Sequence, residues 1–103
     1  RSNVLFTRAT PSQHMKKHLD KEIDTVIFDP PRSGLDRRDL EVLKELKPDN
    51  IVYVSCNPST LARDLGKILS WGVYRYEKAY VIDLFPQTAH IESVNFLSKL
   101  PED

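Results

Sequence analysis

Two short runs built almost entirely of β-branched and aromatic residues, "DTVIFD" (24–29) and "NIVYVSC" (50–56), constrain this chain more than any other feature. Near-continuous apolar runs of this length read as strands buried on both faces. Between them, Leu35, Leu40, Leu43 and Leu46 of "LDRRDLEVLKELK" recur near one helical face, with Val42 beside them. Strand, helix and strand in that order make a βαβ unit, whose strands are parallel.

The flanks continue the alternation. "NVLF" (3–6) is a short strand, and "PSQHMKKHLDK" (11–21) is a helix opening on proline, with His14 and His18 expected on a solvated face. "PSTLARDLGKILSW" (58–71) is helical, with Leu61, Leu65, Ile68 and Leu69 inward and Gly72 as its stop. "YRYEKAYVIDLF" (74–85) and "ESVNFLSKL" (92–100) are strands. The expected order is β-α-β-α-β-α-β-β, an α/β fold whose parallel sheet ends in an antiparallel pair. A chain of 103 residues holds one domain of this kind.

Fifteen basic residues balance fifteen acidic ones, so no surplus of positive charge advertises nucleic-acid binding. Any grip on phosphates is then local, or supplied by other parts of a longer protein. A single cysteine excludes an internal disulfide and fits a reducing, cytoplasmic setting. No apolar run approaches the roughly 20 residues needed to cross a bilayer, so no membrane partner is expected. The sequence opens on "RSNVLF" rather than Met and reads as a piece of a longer protein.

In open α/β sheets, ligands gather beyond the carboxyl ends of the strands. Three unusual motifs stand at such ends: "DPPRSG" (29–34), "SCNP" (55–58) and "DLFPQTAHIE" (83–92). Cys56 alone reads more readily as a small core residue than as a nucleophile. With Asn57 as N-cap and Pro58 as first helical residue, however, it precedes a helix N-terminus, where an anion is favoured and a thiol is activated. "DPPRSG" is either a plain turn, with Asp29 capping the next helix and Arg32 solvated, or a polar contact set with Arg32 as a planar donor. Residues 83–92 hold more polar side chains than a strand connection needs; Glu92 can serve there as a general base, and His90 as an orienting hydrogen-bonder. With one Cys and no ligand-spaced His pair, no metal site is expected.

"DPPRSGL", "YVSCNPSTLARD" and "DLFPQTAHIE" together resemble, in order and spacing, the three signatures of the RNA (uracil-5-)-methyltransferase family, over about Asn3 to Leu100. The long form "SCNPSTLARD" is most similar to the branch that modifies uridine in bacterial 23S ribosomal RNA. The resemblance implies an S-adenosylmethionine-dependent enzyme acting on RNA, of which residues 1–103 are the carboxy-terminal part of the catalytic domain. It implies that Cys56 is the nucleophile toward carbon 6 of uracil and Glu92 the proton acceptor. It places Asp29 at the methyl donor and Arg32 and His90 at the substrate. The family often carries an acid or amide after the first strand to hold the donor; Thr10 of "TRATPSQ" takes that place here.

The implied fold is a partial Rossmann-like class I methyltransferase sheet, with strands 3, 4, 5, 7 and 6 present and strands 1 and 2 missing, together with their glycine-rich turn. Three fates are then open to "NVLF": fraying, pairing with the exposed edge of the next strand, or association with a second copy through that edge. The incomplete donor site implies an inactive isolated chain. Two other readings stand beside this one. An amino-methyltransferase places an aromatic ring after "DPP", where this chain has Arg32, and needs no nucleophilic cysteine. A catalytically idle domain of the same fold binds RNA or a partner. A cysteine hydrolase using Cys56 and His90 lacks an oxyanion-hole motif.

Overall fold

The computed structural model describes residues 3–83 and 91–101. The elements are β1 (Val4–Thr7), α1 (Pro11–Lys16), β2 (Thr25–Phe28), α2 (Arg37–Leu46), β3 (Asn50–Ser55), α3 (Pro58–Ser70), β4 (Tyr74–Asp83) and β5 (Ile91–Lys99). They form one five-stranded sheet in the order β1-β2-β3-β5-β4. Strands β1, β2 and β3 run parallel, and β5 lies antiparallel between β3 and β4. The expected alternation of elements is therefore observed. "NVLF" takes the second of its three fates and pairs with β2 from Val4↔Thr25 to Thr7↔Phe28.

Chain order and sheet order coincide over β1, β2 and β3. Right-handed crossovers stepping in one direction put their helices on one face of the sheet. That face is the core: Met15 of α1, Leu40, Val42 and Leu43 of α2 and Ile68 of α3 pack with Val26, Phe28, Ile51, Tyr53 and Leu97. The opposite face carries no helix among the described residues, so Ile27, Val52, Val54, Val94 and Phe96 are only half-buried. This corrects the expectation that β2 and β3 are buried on both sides. On the helix-free face Tyr80 meets Phe96 edge-on, with the Lys78 ammonium over both rings.

Local chemistry explains the helix ends. Asp36, not Asp29, caps α2: its carboxylate accepts from the Asp39 amide at 2.8 Å, and the Asp39 carboxylate accepts from the Asp36 amide at 3.0 Å. Asp39 also takes the Ser12 amide at 2.9 Å, joining α1 to α2, and burial pushes its carboxyl upward. Helix α1 ends at Lys16, well short of residue 21, because a six-residue helix holds only while Met15 reaches the core. His14 and His18 are consequently half-buried rather than on a solvated face. His14 Nδ1 is hydrogen-bonded to Thr7 Oγ1 at 3.0 Å, and His18 Nδ1 is buried with no partner among the described residues.

Two buried phenols tie the sheet to its surroundings. Tyr74 donates to the Pro48 carbonyl at 2.6 Å and Tyr53 to Asp64 at 2.6 Å. Burial raises both phenols above the ordinary tyrosine value, helped at Tyr53 by its bond to Asp64 and at Tyr74 by Asp49. A folded-state pKa above the unfolded one gives stability that is complete below about pH 10 and declines as pH rises past it. Phenolate absorbance from Tyr53 and Tyr74, isolated by comparison with Tyr→Phe variants, is expected to appear only as circular dichroism is lost. Ionisation of both in a chain that keeps its dichroism would overturn this.

Candidate active site

At the carboxyl end of β2, the Asp29 amide donates to the Thr7 carbonyl at 2.9 Å, extending the ladder by one residue. Alternation from Ile27 puts the Asp29 side chain on the helix-free face, half-buried, where it accepts from Arg8 Nε at 3.2 Å. Pro30 and Pro31 end the strand, and the Gly34 amide donates back to the Pro31 carbonyl at 2.8 Å to close a turn. Gly34 sits at φ +79°, a left-handed conformation suited to glycine. The Arg32 side chain is exposed, while its carbonyl accepts from Asn57 Nδ2 at 3.2 Å and Thr60 Oγ1 at 3.0 Å.

Those two donors belong to the start of α3, so the first motif is bound to the second. Asn57 is the expected N-cap, its side chain accepting from the Ser59 amide at 3.0 Å, and Pro58 is the first helical residue. Ser55 Oγ donates to the Asn57 carbonyl at 3.0 Å and accepts from the Asn57 amide at 3.1 Å. Cys56 is held inside that small ring, half-buried and immediately before the helix N-terminus.

Strand β5 brings the third motif alongside. The β3–β5 ladder ends at Ser55↔Ser93. Cys56 follows directly after that last pair, and Glu92, next to Ser93 in β5, alternates onto the helix-free face with Val94. A slip of one residue would turn Glu92 to the other face. Buried Asn95 guards against it: its side chain donates to the Tyr53 carbonyl at 3.1 Å and accepts from Tyr76 Oη at 2.7 Å.

Glu92 and Asp29 are therefore brought to one face at one end of the sheet, and Cys56 follows β3 at that same end. Thr10 is set apart. It is the left-handed N-cap of α1, at φ 50°, its hydroxyl donating to the Ala9 carbonyl at 2.7 Å. It lines a groove of about 300 Å³ with Ser12, Gln13, Ser33, Asp36 and Asp39. The groove mixes polar groups with Pro11 and Pro31 and lies next to the DPPRSG turn. His90 and the neighbouring residues 84–89 lie outside the described residues.

The residues that sequence reasoning missed are Asp64 and Arg63. Asp64 is fully buried among apolar neighbours and binds both Tyr53 and the turn after Gly34. A signal was present: Leu61, Asp64, Leu65 and Ile68 share one helical stripe, and a carboxylate on an apolar stripe demands partners.

The family model described as tRNA (uracil-5-)-methyltransferase matches residues 8–100. An uncharacterised RNA methyltransferase of Aquifex aeolicus is 52% identical over 97 residues, covering 94% of this chain and 23% of that protein. Another from Enterococcus faecalis is 44% identical over 99 residues, covering 94% of this chain and 21% of that protein. The chain thus spans about a fifth of the length of these curated relatives. Among solved structures, the Pyrococcus abyssi tRNA (uracil-54, C5)-methyltransferase in complex with S-adenosyl-L-homocysteine is 51% identical, with a TM-score of 0.65 over 75% of this chain and 19% of that one. A putative DNA modification methyltransferase from an E. coli prophage, 17% identical with a TM-score of 0.51 over 90% of this chain and 31% of that one, shares the fold alone.

Proposed function

The chain belongs to the tRNA (uracil-5-)-methyltransferase family, and from that premise we propose that it is part of a catalytic domain methylating carbon 5 of uridine in RNA. Cys56 is the nucleophile and Glu92 the proton acceptor. The observation that supports this reading is that β3 and β5 end their ladder at Ser55↔Ser93, so that Cys56 and Glu92 each adjoin the last pair, with Asp29 at the neighbouring strand end.

Carbon 5 of uracil is a poor nucleophile until carbon 6 is occupied. The Cys56 thiolate adds to carbon 6, and the electron pair moves onto the ring as an enolate. S-adenosylmethionine, when bound, supplies an electrophilic methyl group for carbon 5. Glu92 then removes the carbon 5 proton, the ring double bond re-forms and the thiolate departs. Cys56 ends the cycle as it began, and the proton leaves through the carboxyl. Asp29 and Thr10 contribute to the donor site, while Arg32 and His90 hold the nucleotide. A base reached this way must leave its stack.

The isolated 103 residues carry only Asp29 and Thr10 toward the donor, so we propose that they do not turn over alone; methylation by the isolated chain would refute that. Ribosomal RNA is the substrate suggested by the long "SCNPSTLARD" form, and the tRNA target named for the Pyrococcus abyssi relative makes tRNA the second to assay. The deciding experiment uses the full-length protein with 5-fluorouridine RNA and the methyl donor. Fluorine cannot leave carbon 5 as a proton does, so a methylated protein–RNA adduct is expected to accumulate, linked through the peptide bearing Cys56. Turnover with no adduct would favour chemistry that needs no cysteine.

A further inference from the structure

The tail of the cysteine motif, "ARD", is unused by the chemistry above, yet it forms the most heavily bonded polar cluster in the described chain. Asp64 is 0% exposed. Its Oδ2 accepts from Tyr53 Oη at 2.6 Å and from the Leu35 amide at 2.8 Å. Its Oδ1 accepts from Arg63 Nε at 3.1 Å and Nη2 at 3.0 Å. Arg63 Nη2 also donates to the Ser33 carbonyl at 2.7 Å and the Leu35 carbonyl at 3.1 Å. A Cβ on Gly34 would stand 2.6 Å from Asp64 Oδ2, so the turn is seated directly on the ion pair.

Asn57, Thr60, Arg63 and Asp64 are spaced along one side of the first turns of α3, and together they grip residues 32–35. That loop follows Asp29 and includes Arg32; the helix start comes just after Cys56. A buried ion pair adds little net stability over an apolar substitute, so its use here is better sought in geometry.

We propose that Arg63 and Asp64 are positioning residues for the reaction: their clamp on Ser33 and Leu35 fixes the loop that follows Asp29 and includes Arg32 relative to the helix start just after Cys56. This rests on the function proposed above. Carbon–sulfur bond formation demands that the thiolate meet carbon 6 while the loop holds the base, and a misplacement near 1 Å can cost about 10²-fold in rate.

The test compares Arg63→Ala, Arg63→Lys and the core variant Ile68→Val in the full-length protein. Arg63 is partly exposed, so its removal leaves no cavity in the core. Ile68 sits on the same helix, one turn beyond Asp64 and away from the loop. The readouts are single-turnover methyl transfer, Cys56 adduct formation, KM for RNA and for the donor, and Tm. Arg63→Ala is expected to slow both methyl transfer and adduct formation roughly 10- to 100-fold. Millimolar guanidinium is expected to restore part of that rate, and Arg63→Lys to lie between. Ile68→Val, a milder core change than the loss of Asp64's partner, is expected to keep its rate, with all variants assayed well below their Tm.

Equal rates in Arg63→Ala and Ile68→Val would overturn the clamp, as would equal losses in both that simply track Tm. The unsubstituted protein separates the two proposals: methyl transfer without an adduct refutes the Cys56 role, and the clamp is then judged on transfer rate alone.

Discussion

Cys56→Ala in the full-length protein is expected to abolish uridine methylation, by at least about 10⁴-fold, and to eliminate the 5-fluorouridine adduct completely. The change removes one sulfur atom from a half-buried side chain at a strand end, outside the main core. The ring of bonds between Ser55 and Asn57 and the Asn57 cap do not use the thiol. Folding should therefore shift by no more than about 1 kcal/mol, and dichroism and Tm serve as the check. Loss of activity in a folded variant is what nucleophilic catalysis requires. An amino-methyltransferase would survive the substitution, so retained methylation would transfer the assignment to that reading. Glu92→Gln is the companion variant, since it preserves size and register while removing the base. It is expected to slow turnover about 10²- to 10⁴-fold while allowing the adduct to form, because addition at carbon 6 precedes proton removal. Loss of adduct in Glu92→Gln would remove that residue from the late step.

Gly34→Ala is expected to cost roughly 2–5 kcal/mol in the 103-residue chain, lowering Tm by on the order of 10–20 °C. Two effects add. The backbone sits at φ +79°, where an L side chain is strained by about 1–2 kcal/mol. The new Cβ would also lie 2.6 Å from Asp64 Oδ2, 2.8 Å from Arg63 Nη2 and 3.1 Å from Thr60 Cβ. Making room means moving a fully buried carboxylate off the Leu35 amide or the Tyr53 hydroxyl, at about 1–3 kcal/mol for each group left unpaired. The other two glycines separate these effects. Gly72, at φ +76° with nothing within 4 Å of its Cβ position, bears the backbone strain alone. Gly66 lies inside α3 with open space around it, and Gly66→Ala should stabilise the helix by about 1 kcal/mol. Thermal unfolding of the three variants should give a large loss, a small loss and a gain. A Gly34→Ala loss no greater than that of Gly72→Ala would mean that the turn does not press on Asp64.

Much of the architecture is legible because it rests on local chemistry. The period of the apolar residues identifies β2, α2, β3 and α3, and Asn57-Pro58 marks the start of α3 to the residue. Helix α1 is less legible, since its existence depends on Met15 finding the core and its weak pattern runs past the point where that contact stops. The same docking partly buries His14 and His18, although their spacing reads as an exposed face. Asp64 escaped notice for a related reason. A carboxylate on an apolar stripe is decipherable only once the Leu35 amide and Tyr53 hydroxyl are known to point at it from other elements.

The sequence by itself determined the alternation of elements, the helix cap beyond Cys56 and the three polar strand ends, because each depends on residues within a few positions of one another. Only the tertiary structure decided that β1 pairs with β2, that all three helices share one face, and that "ARD" locks the cysteine motif to the DPPRSG turn. Those outcomes depend on sheet order and on the β3–β5 register, which join groups far apart in the chain through backbone bonds that no side-chain pattern announces.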